Sequence, residues 1–467
     1  MAFKKKLYQF RPKDQPRKIE RHVTKDRKRT VSVNSISLER DVRQMLAEKI
    51  SGTHVGLWLL IGEHLRLRTW DLLTSWTGSG HNNTIEPRLA LQMVHESALC
   101  VTGVRERRTL RQKGFETLNG LPFVATDVAI HQLLDHHTIA EAEALQVALG
   151  QIRSARGHYQ GQYVLIDPHR IMTWSKRQMP PKKASSSSPI RKNMQTFFAI
   201  DGESGQPLSF GIGSSSVRVS QATLSLIDRL AYILPHKALI LADSEHFTVE
   251  IFNRLLNNRQ FTILMPTPRR KKILQQAQSL TFTPKWAGYA VAEDSYQLTG
   301  QENSYRLIVQ RTGETKDNYN YKSFATTSNK DKADLMTLIF PQRWDIEEFF
   351  KDESALGWNR ASTFNLNIRY GRLSMALIAQ AVIYQLRKKL SENINRWTAE
   401  SMAQKFFKGI DGDLRVKNDK IIVTLYNAPS VEILKEHYEN LPRKLEAEGV
   451  DPRVPWLYDF KVDFRFK

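Results

Sequence analysis

The segment Tyr163-Val164-Leu165-Ile166-Asp167 places an acidic residue directly after a short run of apolar and aromatic residues. The segment Ala238-Leu239-Ile240-Leu241-Ala242-Asp243 repeats this arrangement further along the chain. Apolar runs of this length that end at a polar residue are typical of buried strands. The two segments therefore predict two core strands of a sheet, each with a carboxylate at its end.

Further strands and helices are predicted around these two segments. The patterns predict strands at Gln162–Asp167, Thr196–Ile200, Leu208–Gly213, Ala238–Asp243 and Phe261–Met265, and helices at Ala222–Leu234 and Thr248–Asn257. The order is therefore three strands, a helix, a strand, a helix and a strand. This order favours an α/β fold class built on a mixed sheet.

A third acidic residue, Glu347, lies in a segment whose apolar positions recur at helical spacing. Arg343, Glu347 and Lys351 recur every four residues and therefore share one face of the predicted helix. The apolar side chains should point to the core, which leaves Glu347 beside them and accessible to the edge of a pocket. The adjacent Glu348 lies about 100° further round the helix and is the alternative to Glu347. Three nearby acids are expected in solvent, namely Asp345, Asp352 and Glu353.

Each of the three acids also has a purely structural interpretation. Asp167 precedes a proline and could form the turn that leaves the sheet, and Asp243 could cap the helix that follows it. Glu347 could belong to an exposed salt-bridge ladder worth ~0.3–0.5 kcal/mol per pair. Together, however, three carboxylates supply the hard oxygen ligands that Mg²⁺ prefers. Two such ions ~3.5–4 Å apart catalyse phosphodiester cleavage. We therefore interpret the three acids as catalytic residues and as ligands of two Mg²⁺ (or Mn²⁺) ions.

The composition favours a polyanionic partner. The chain has 467 residues, with 69 Lys and Arg against 48 Asp and Glu, and a formal net charge of +21. The first 30 residues contribute 12 basic and 3 acidic residues, and the remaining 57 basic and 45 acidic residues still leave +12. Nucleic acid is the partner that this balance favours, with a solubilising surface as the alternative.

The chain shows no feature of a secreted or membrane protein. Cys100 is the single cysteine, so neither an intrachain disulfide nor a cysteine-built zinc site can form. The basic N-terminus lacks the apolar stretch of a secretory signal. No apolar run reaches the length of a membrane span. The sequence therefore predicts a cytoplasmic, nucleoid-associated protein.

The segment from Phe340 to Ser354 resembles the signature helix of bacterial insertion-sequence transposases of the DDE type, in the insertion-sequence-four group. That signature reads Tyr, two residues, Arg, three residues, Glu, six residues, Lys, and Arg343 and Glu347 match it. Phe340 stands where tyrosine is usual and Ser354 where lysine is usual. Lys351, one turn after Glu347, is a possible substitute for that lysine.

The resemblance implies a ribonuclease-H-like catalytic core, in which the strands that end in Asp167 and Asp243 are neighbours. It also implies that DNA is cut at the ends of the element, that hairpin ends form, and that the reopened ends join target DNA. Double-stranded DNA is then the partner, Arg343 binds an end phosphate, and a homodimer brings two ends together. Trp286 or Tyr289 is expected to stack on a flipped base, with packing inside the inserted β region as the alternative.

Two basic segments are further candidates for contact with the DNA backbone. Residues 175–192 contain six Lys or Arg, no acid and four consecutive serines, and are predicted to form a loop that leaves the sheet after Asp167. This loop supplies Lys182 and Lys183. The second segment begins with Arg269 and Arg270.

These features predict a chain of six regions. They are a flexible basic arm (1–34), a mostly helical DNA end-binding domain (35–156), the first part of the catalytic core (157–268), a β-rich insertion (269–325), the catalytic helix with the rest of the core (326–392) and a C-terminal region (393–467). Helical N- and C-terminal regions are thus expected to flank the core. The helices predicted in the first of them are Leu38–Ile50, Val55–Trp76 and Ile139–Arg156, and one strand, Lys420–Tyr426, is predicted in the second.

Two other functions remain open at this point. The first is a hydrolytic nuclease on the same fold, which would cut DNA without joining it to a target. The second is a DNA-binding protein derived from a transposase that has lost its chemistry, which Phe340 and Ser354 keep possible.

Overall fold

The computed structural model describes residues 35–467 except for 53, 79–84, 102–107, 174–177, 184–188, 301–302 and 359–362. The chain divides into two compact units. One consists of Met1–Leu149 with Asp352–Lys467, and the other of Gly150–Lys351. The basic arm predicted at 1–34 lies outside the described residues.

The Gly150–Lys351 unit is built on a sheet of nine strands. In chain order they are β1 (Tyr163–Met172), β2 (Asn193–Asp201), β3 (Pro207–Ser214), β4 (Ala238–Ala242), β5 (Phe261–Pro266), β6 (Thr283–Trp286), β7 (Tyr289–Tyr296), β8 (Tyr305–Thr312) and β9 (Asn320–Thr326). Their order in the sheet is β3-β2-β1-β4-β5-β9-β8-β7-β6. Strand β4 is parallel to both β1 and β5, and every other pairing in this sheet is antiparallel. The mixed α/β sheet predicted from the sequence is confirmed, including its five core strands.

The helices of this unit cover the sheet. They are Val219–Ile233, Val249–Leu255, Lys271–Ser279, Lys332–Asp334 and Asp345–Asp352, with short 3-10 turns at Ser244–His246, Lys316–Asn318 and Phe340–Trp344 and a π-helical turn at Leu335–Ile339. Leu226, Ile227 and Leu230 of the first helix are buried in one cluster with Val164 and Ile240 of the central strands. Burial of this apolar face holds the helix on the sheet.

The strands of the predicted insertion extend the same sheet. Strand β9 pairs with β5 through Phe324 and Pro266, and β8, β7 and β6 follow in order. The sequence predicted β structure here but not its continuity with the core sheet. That continuity depends on pairing between distant segments, which leaves no local pattern in the sequence.

The basic loop predicted at 175–192 is partly a hairpin. Lys182–Lys183 pairs antiparallel with Ile190–Arg191. The Asn193 side-chain amide donates to the carbonyl oxygens of Lys182 (2.6 Å) and Arg191 (3.0 Å). These bonds fix the base of the hairpin, so the described part of the predicted loop contains two short paired strands that the sequence did not predict.

The other unit combines helices with a smaller sheet. Its helices are Ser35–Ala47, Leu60–Arg66, Thr69–Thr77, Ile85–Ala98, Lys113–Leu118, Asp127–His136, Leu366–Arg387, Glu392–Asn395, Ala399–Met402, Val431–Tyr438 and Leu441–Ala447, and the helix Ile139–Ala155 runs on into the Gly150–Lys351 unit. Its five strands lie in the order Ile50–Gly52, Asp411–Lys417, Lys420–Tyr426, Phe460–Phe466 and Arg453–Val454. None of the helices in the described part of the chain is both long and apolar enough to cross a membrane.

Local backbone geometry explains two differences from the sequence prediction in this unit. The helix predicted at Val55–Trp76 is interrupted because Arg68 adopts a left-handed conformation with φ of 52°. A 3-10 turn at Val55–Leu59 also precedes the first helical part. The strand predicted at Lys420–Tyr426 has those bounds, but it belongs to a sheet whose other C-terminal strands the sequence did not predict.

A chain of hydrogen bonds through two buried histidines crosses the core of this unit. His95 Nδ1 lies 2.7 Å from Asn119 Oδ1, His95 Nε2 lies 3.1 Å from His64 Nε2, and His64 Nδ1 lies 3.0 Å from the Thr69 hydroxyl. All these bonds form when each ring carries one proton, because His95 then donates to Asn119 and accepts from His64. A second proton on His95 would set its Nε2–H group against the Nε2–H group of His64. Burial lowers the pKa of His95 to about 4 and that of His64 well below its usual value.

Acidification is therefore expected to loosen this unit. A histidine with a depressed pKa contributes full stability above pH ~6.5 and loses it as the pH falls toward its folded-state pKa. Between pH 7.5 and 5 the free energy of opening at the helix Ile85–Ala98 should fall by about 2 kcal/mol. Hydrogen exchange of that helix, corrected for intrinsic pH dependence, measures it. The exposed-residue variant His136→Gln should behave like the wild type, whereas equal pH dependence in wild type and His95→Gln would contradict the account.

Candidate active site

Asp167 and Asp243 lie at the same level on neighbouring parallel strands. Ile166 of β1 pairs with Ala242 of β4 in the last register pair between these strands, so the next residue on each is one of the two aspartates. Parallel neighbours are ~4.8 Å apart. Strand β1 continues to Met172, and Asp167 pairs on its other side with Phe198 of β2. The prediction that Asp167 ends its strand was therefore wrong, and so was the alternative that it forms the turn leaving the sheet.

Asp243 also organises the turn that follows it. Its Oδ1 atom accepts a hydrogen bond from the Ser244 amide at 2.6 Å, and its carbonyl oxygen accepts from the His246 amide at 3.0 Å. Asp243 thus caps the 3-10 turn Ser244–His246, whereas Thr248 caps the helix Val249–Leu255 that Asp243 was expected to cap. This role does not exclude a second one, because the side chain of Asp243 stays partly exposed.

Aromatic packing fixes the helix that carries Glu347. The rings of Phe349 and Phe350 lie 5.7 and 5.5 Å from the ring of Phe198, and the Phe350 ring lies 4.7 Å from that of His169. Phe198 is the register partner of Asp167. The helix Asp345–Asp352 is therefore anchored beside the strand pair that presents Asp167, as the apolar spacing of its sequence predicted.

Glu347 itself points to solvent and to the signature arginine. Its side chain is 47% exposed, and Arg343 Nη2 lies 3.5 Å from its Oε1 atom. The Arg343 side chain is only 11% exposed. The salt bridge that was the alternative interpretation of Glu347 is therefore formed, as a single contact with Arg343.

Like charges surround Asp167. Burial raises the pKa of its carboxyl to about 7, the Arg343 guanidinium opposes this shift, and the carboxylates of Asp243, Glu245 and Glu347 add to it. The three predicted acids and the signature arginine therefore act on one another electrostatically. A cation between these carboxylates would relieve both the burial and the repulsion.

The side chains do not form a ligand set as they stand. Across the described residues, no three His, Cys, Asp or Glu side chains are placed to hold a metal ion. Asp243 is engaged with the Ser244 amide and Glu347 faces Arg343. The donor set nevertheless fits a hard divalent cation, because it consists of carboxylates at a partly exposed edge where Glu347 has room to rotate.

A second ion pair connects strand β1 to the turn that follows Asp243. Arg170, three residues beyond Asp167 on β1, donates two hydrogen bonds to the carboxylate of Glu245, one of 2.9 Å from Nη1 and a shorter one from Nη2. Its Nε atom donates to Gln195 Oε1 of β2 at 3.1 Å. Arg170 thus connects β1, β2 and the turn after Asp243. The sequence analysis missed this pair, because neither residue lies in a motif.

The basic residues predicted to contact DNA lie in several different segments of this unit. Lys182 interacts electrostatically with Arg170 and Glu245, which places the basic hairpin near the acids. The Arg270 guanidinium lies 5.7 Å from the Phe247 ring, directly after the Asp243 turn. Three further predicted contacts are exposed, namely Lys183, Arg269 and Lys351.

Trp286 lies at the far edge of the sheet. Its ring stacks on that of Tyr289 at 4.3 Å with an interplanar angle of 7°, and the side chain is 56% exposed. Trp286 thus packs on Tyr289 of the inserted β region, as the alternative expected, but one face of its ring remains exposed. Five strand spacings, roughly 24 Å, separate its strand β6 from β4 along the sheet. The structure therefore does not bring Trp286 to the carboxylates.

Glu353 is not in solvent as expected. Its side chain is buried and forms an ion pair of 2.7 Å with Arg387 of the helix Leu366–Arg387. That partner is far along the chain, so the helical pattern around Glu347 could not reveal it. Asp345 and Asp352 are exposed as expected.

Residues 150–381 match the family model of the transposase DDE domain. No curated protein matches the chain. Among solved structures, a similar one is the cryo-EM structure of the piggyBac transposase synaptic complex with hairpin DNA, with 10% identity over 77% of this chain and 82% of that chain and a TM-score of 0.41. The family match covers both aspartates and the Glu347 helix. This part of the chain is therefore similar to a transposase DDE domain.

Loss of the Arg170–Glu245 pair is expected to loosen the turn after Asp243. In Arg170→Met, exchange of the Ser244 and His246 amides should accelerate roughly five- to tenfold, because an ion pair with one half-exposed partner contributes about 1 kcal/mol. Hydrogen exchange of peptides covering 241–247 measures this. The control Arg254→Met removes an exposed pair with Asp228 (2.7 Å) and should leave these amides unchanged. Equal protection in wild type and Arg170→Met would show that the pair does not hold the turn.

Proposed function

We propose that this protein is a DNA transposase that cuts and rejoins the ends of an insertion sequence. The observation that carries the proposal is the pairing of Ile166 with Ala242, which sets two aspartates side by side next to the Glu347 helix. The match of residues 150–381 to the transposase DDE domain supports it. Asp167, Asp243 and Glu347 are the proposed catalytic residues, and the insertion-sequence-four group is the proposed subgroup.

The three carboxylates are the proposed ligands of two Mg²⁺ or Mn²⁺ ions. When bound, the ions supply Lewis-acid activation of the attacking and leaving oxygens of a phosphodiester. The protein contributes the position of the ligands. Asp167 is fixed by strand pairing on both sides, Asp243 by its turn, and Glu347 by the aromatic packing of its helix.

Cations around the acids are proposed to bind the DNA backbone. Arg343 is mostly buried beside Asp167 and Glu347, so its guanidinium is held close to the place where the scissile phosphate must lie. Lys182 of the basic hairpin and Arg270 lie near the acids. Lys183, Arg269 and Lys351 add exposed positive charge, and a duplex that approaches this edge of the sheet would meet all of them.

The remaining parts of the proposal follow from the reaction. Exchange of one phosphodiester for another needs no energy input, so the same site can cut an end and join its 3′-OH to target DNA. Two element ends must be held together, for which we propose a homodimer. Trp286 is proposed as a stacking platform for a flipped base. We propose a bacterial host and a place at the nucleoid, which the net charge of +21 favours.

Replacement of a single strand-end aspartate tests the catalytic assignment. Asp243→Asn keeps an oxygen that can accept from the Ser244 amide, and asparagine is as good a cap as aspartate. Mg²⁺-dependent cleavage of a fragment carrying the gene and its flanking DNA should nevertheless fall by roughly 10³-fold, since a Lewis-acid contribution is worth several kcal/mol. Binding of the same fragment should persist. The control Asp228→Asn changes an exposed aspartate and should cleave normally, and unchanged cleavage by Asp243→Asn would remove Asp243 from the mechanism.

A strand-transfer assay separates the three functions considered. The transposase is expected to produce hairpin-ended fragments from the flanking DNA and then to join the reopened ends to a target plasmid. Cleavage products without joining would instead identify a nuclease. DNA binding with no cleavage at all in Mg²⁺ or Mn²⁺ would identify a binding protein without catalytic activity.

A further inference from the structure

Lys322 of β9 is an exposed lysine that reaches the proposed active site from the extended part of the sheet. Residues two apart on a strand share a face, and Phe324, on the same face as Lys322, is buried. The lysine therefore stands at the border between the core and the surface. No feature of the sequence distinguished it.

Two aromatic rings hold its ammonium group. The Lys322 Nζ atom lies 5.2 Å from the centre of the Phe324 ring and 5.5 Å from that of Phe340. The two rings pack edge to face at 4.8 Å. Cations are attracted to ring faces within ~6 Å, so the pair of rings restrains where the ammonium can lie.

The strand register places Phe324 level with Asp243, because Leu241 pairs with Leu264 of β5 and Pro266, two residues further along β5, pairs with Phe324. Lys322 lies two residues beyond Phe324 on the same face of β9. Lys322 interacts electrostatically with Asp243 and with Arg343. Burial and the Arg343 charge lower the pKa of Lys322, and Asp243 raises it. Two like-charged groups are thus held near each other, although neither is forced there by chain connectivity. An anion between them would be attracted by both.

The position of Lys322 is related to the two residues at which this chain departs from the signature motif. Phe340 occupies the signature position of tyrosine, and the ring of that phenylalanine is one of the two that hold Lys322. Ser354 occupies the position of the signature lysine, so the helix lacks that cation. Lys351 is the substitute that the sequence suggests, but Lys322 is the lysine whose ammonium group lies against the ring of Phe340 in the signature segment.

We propose that Lys322 binds a DNA phosphate in the active site and supplies the cation that position 354 lacks, with its ammonium held over Phe324 and Phe340. The proposal rests on the proposed function as a DNA transposase. It assigns Phe340 a supporting role through its ring face instead of through a hydroxyl group.

A different role would leave the same contacts. Lys322 could only offset the charge of Asp243 and never touch DNA. The two roles differ in one measurable quantity, the salt dependence of DNA binding. Each phosphate contact contributes a slope of about −0.9 in a plot of log K against log salt concentration for duplex DNA. A lysine that acts only on Asp243 contributes nothing to that slope.

The test compares Lys322→Gln, Lys322→Arg and a matched control, Lys330→Gln. Lys330 is an exposed lysine of the same unit whose ammonium lies 4.9 Å from the Tyr163 ring centre and 3.3 Å from its hydroxyl. It therefore matches the chemistry of Lys322 away from Asp243. The probe is a duplex of the DNA that flanks the gene, with binding measured over a range of KCl concentrations without divalent metal.

Lys322→Gln is expected to lower the magnitude of the slope by about 0.9, whereas Lys322→Arg and Lys330→Gln keep the wild-type slope. Recovery in Lys322→Arg shows that charge and not misfolding is responsible. A wild-type slope in Lys322→Gln would overturn the proposal, and so would an equal loss in Lys330→Gln. The binding arm does not depend on cleavage, so a protein that binds this DNA without cutting it would refute the proposed function while still testing Lys322.

Discussion

The pairing of two parallel strands is the constraint on which the site depends. Because β1 and β4 run side by side with Ile166 opposite Ala242, the next residues bring two carboxylates together. Burial raises the pKa of Asp167, and repulsion from the carboxylates of Asp243, Glu245 and Glu347 adds to this shift. The core strands supply the stability that tolerates this repulsion, since Val164, Leu165 and Ile166 are fully buried. Two neighbouring carboxylates destabilise the folded protein when no cation is bound, and a cation bound between them would remove this repulsion.

An ion pair, aromatic contacts and basic residues surround the two aspartates. Arg170 and Glu245 connect β1 to the turn after Asp243 through charge-assisted hydrogen bonds, and the aromatic contact of Phe198 with Phe350 holds the third acid nearby. Basic residues then approach from segments that are distant in sequence. The extension of the sheet by β9 matters here, because it carries Lys322 to the same edge as Asp243. The insertion therefore contributes charge to the site as well as β structure.

The sequence was sufficient for features with a local pattern. Short apolar runs located the five core strands within a few residues, and helical spacing located the Glu347 helix with its buried Ile346 and Phe349. The two aspartates followed from the same runs, although Asp167 lies within β1 and only Asp243 follows the end of its strand. Resemblance to a known signature added Arg343. These predictions succeeded because each depends on neighbours within one or two turns of the chain.

Features that depend on distant partners could not be predicted. Strands β6 to β9 join the core sheet through β5, and Glu353 is buried by an arginine of a later helix. Arg170, Glu245 and Lys322 have no motif, and only the folded chain shows what they contact. The orientations of the acidic side chains could not be predicted either. Asp243 accepts a hydrogen bond from the amide of its own turn, and Glu347 faces Arg343. Closeness along the sheet therefore does not by itself create a ligand set.

The location of divalent cations in a crystal tests the central claim most directly. Crystals of the protein soaked in Mn²⁺ would show bound ions by anomalous scattering. We expect density at the carboxylates of Asp167 and Asp243, with ligand distances of about 2–2.5 Å, and a Glu347 side chain that has turned from Arg343 toward the same ions. Ions bound only elsewhere, or none at these two carboxylates at millimolar Mn²⁺, would contradict it.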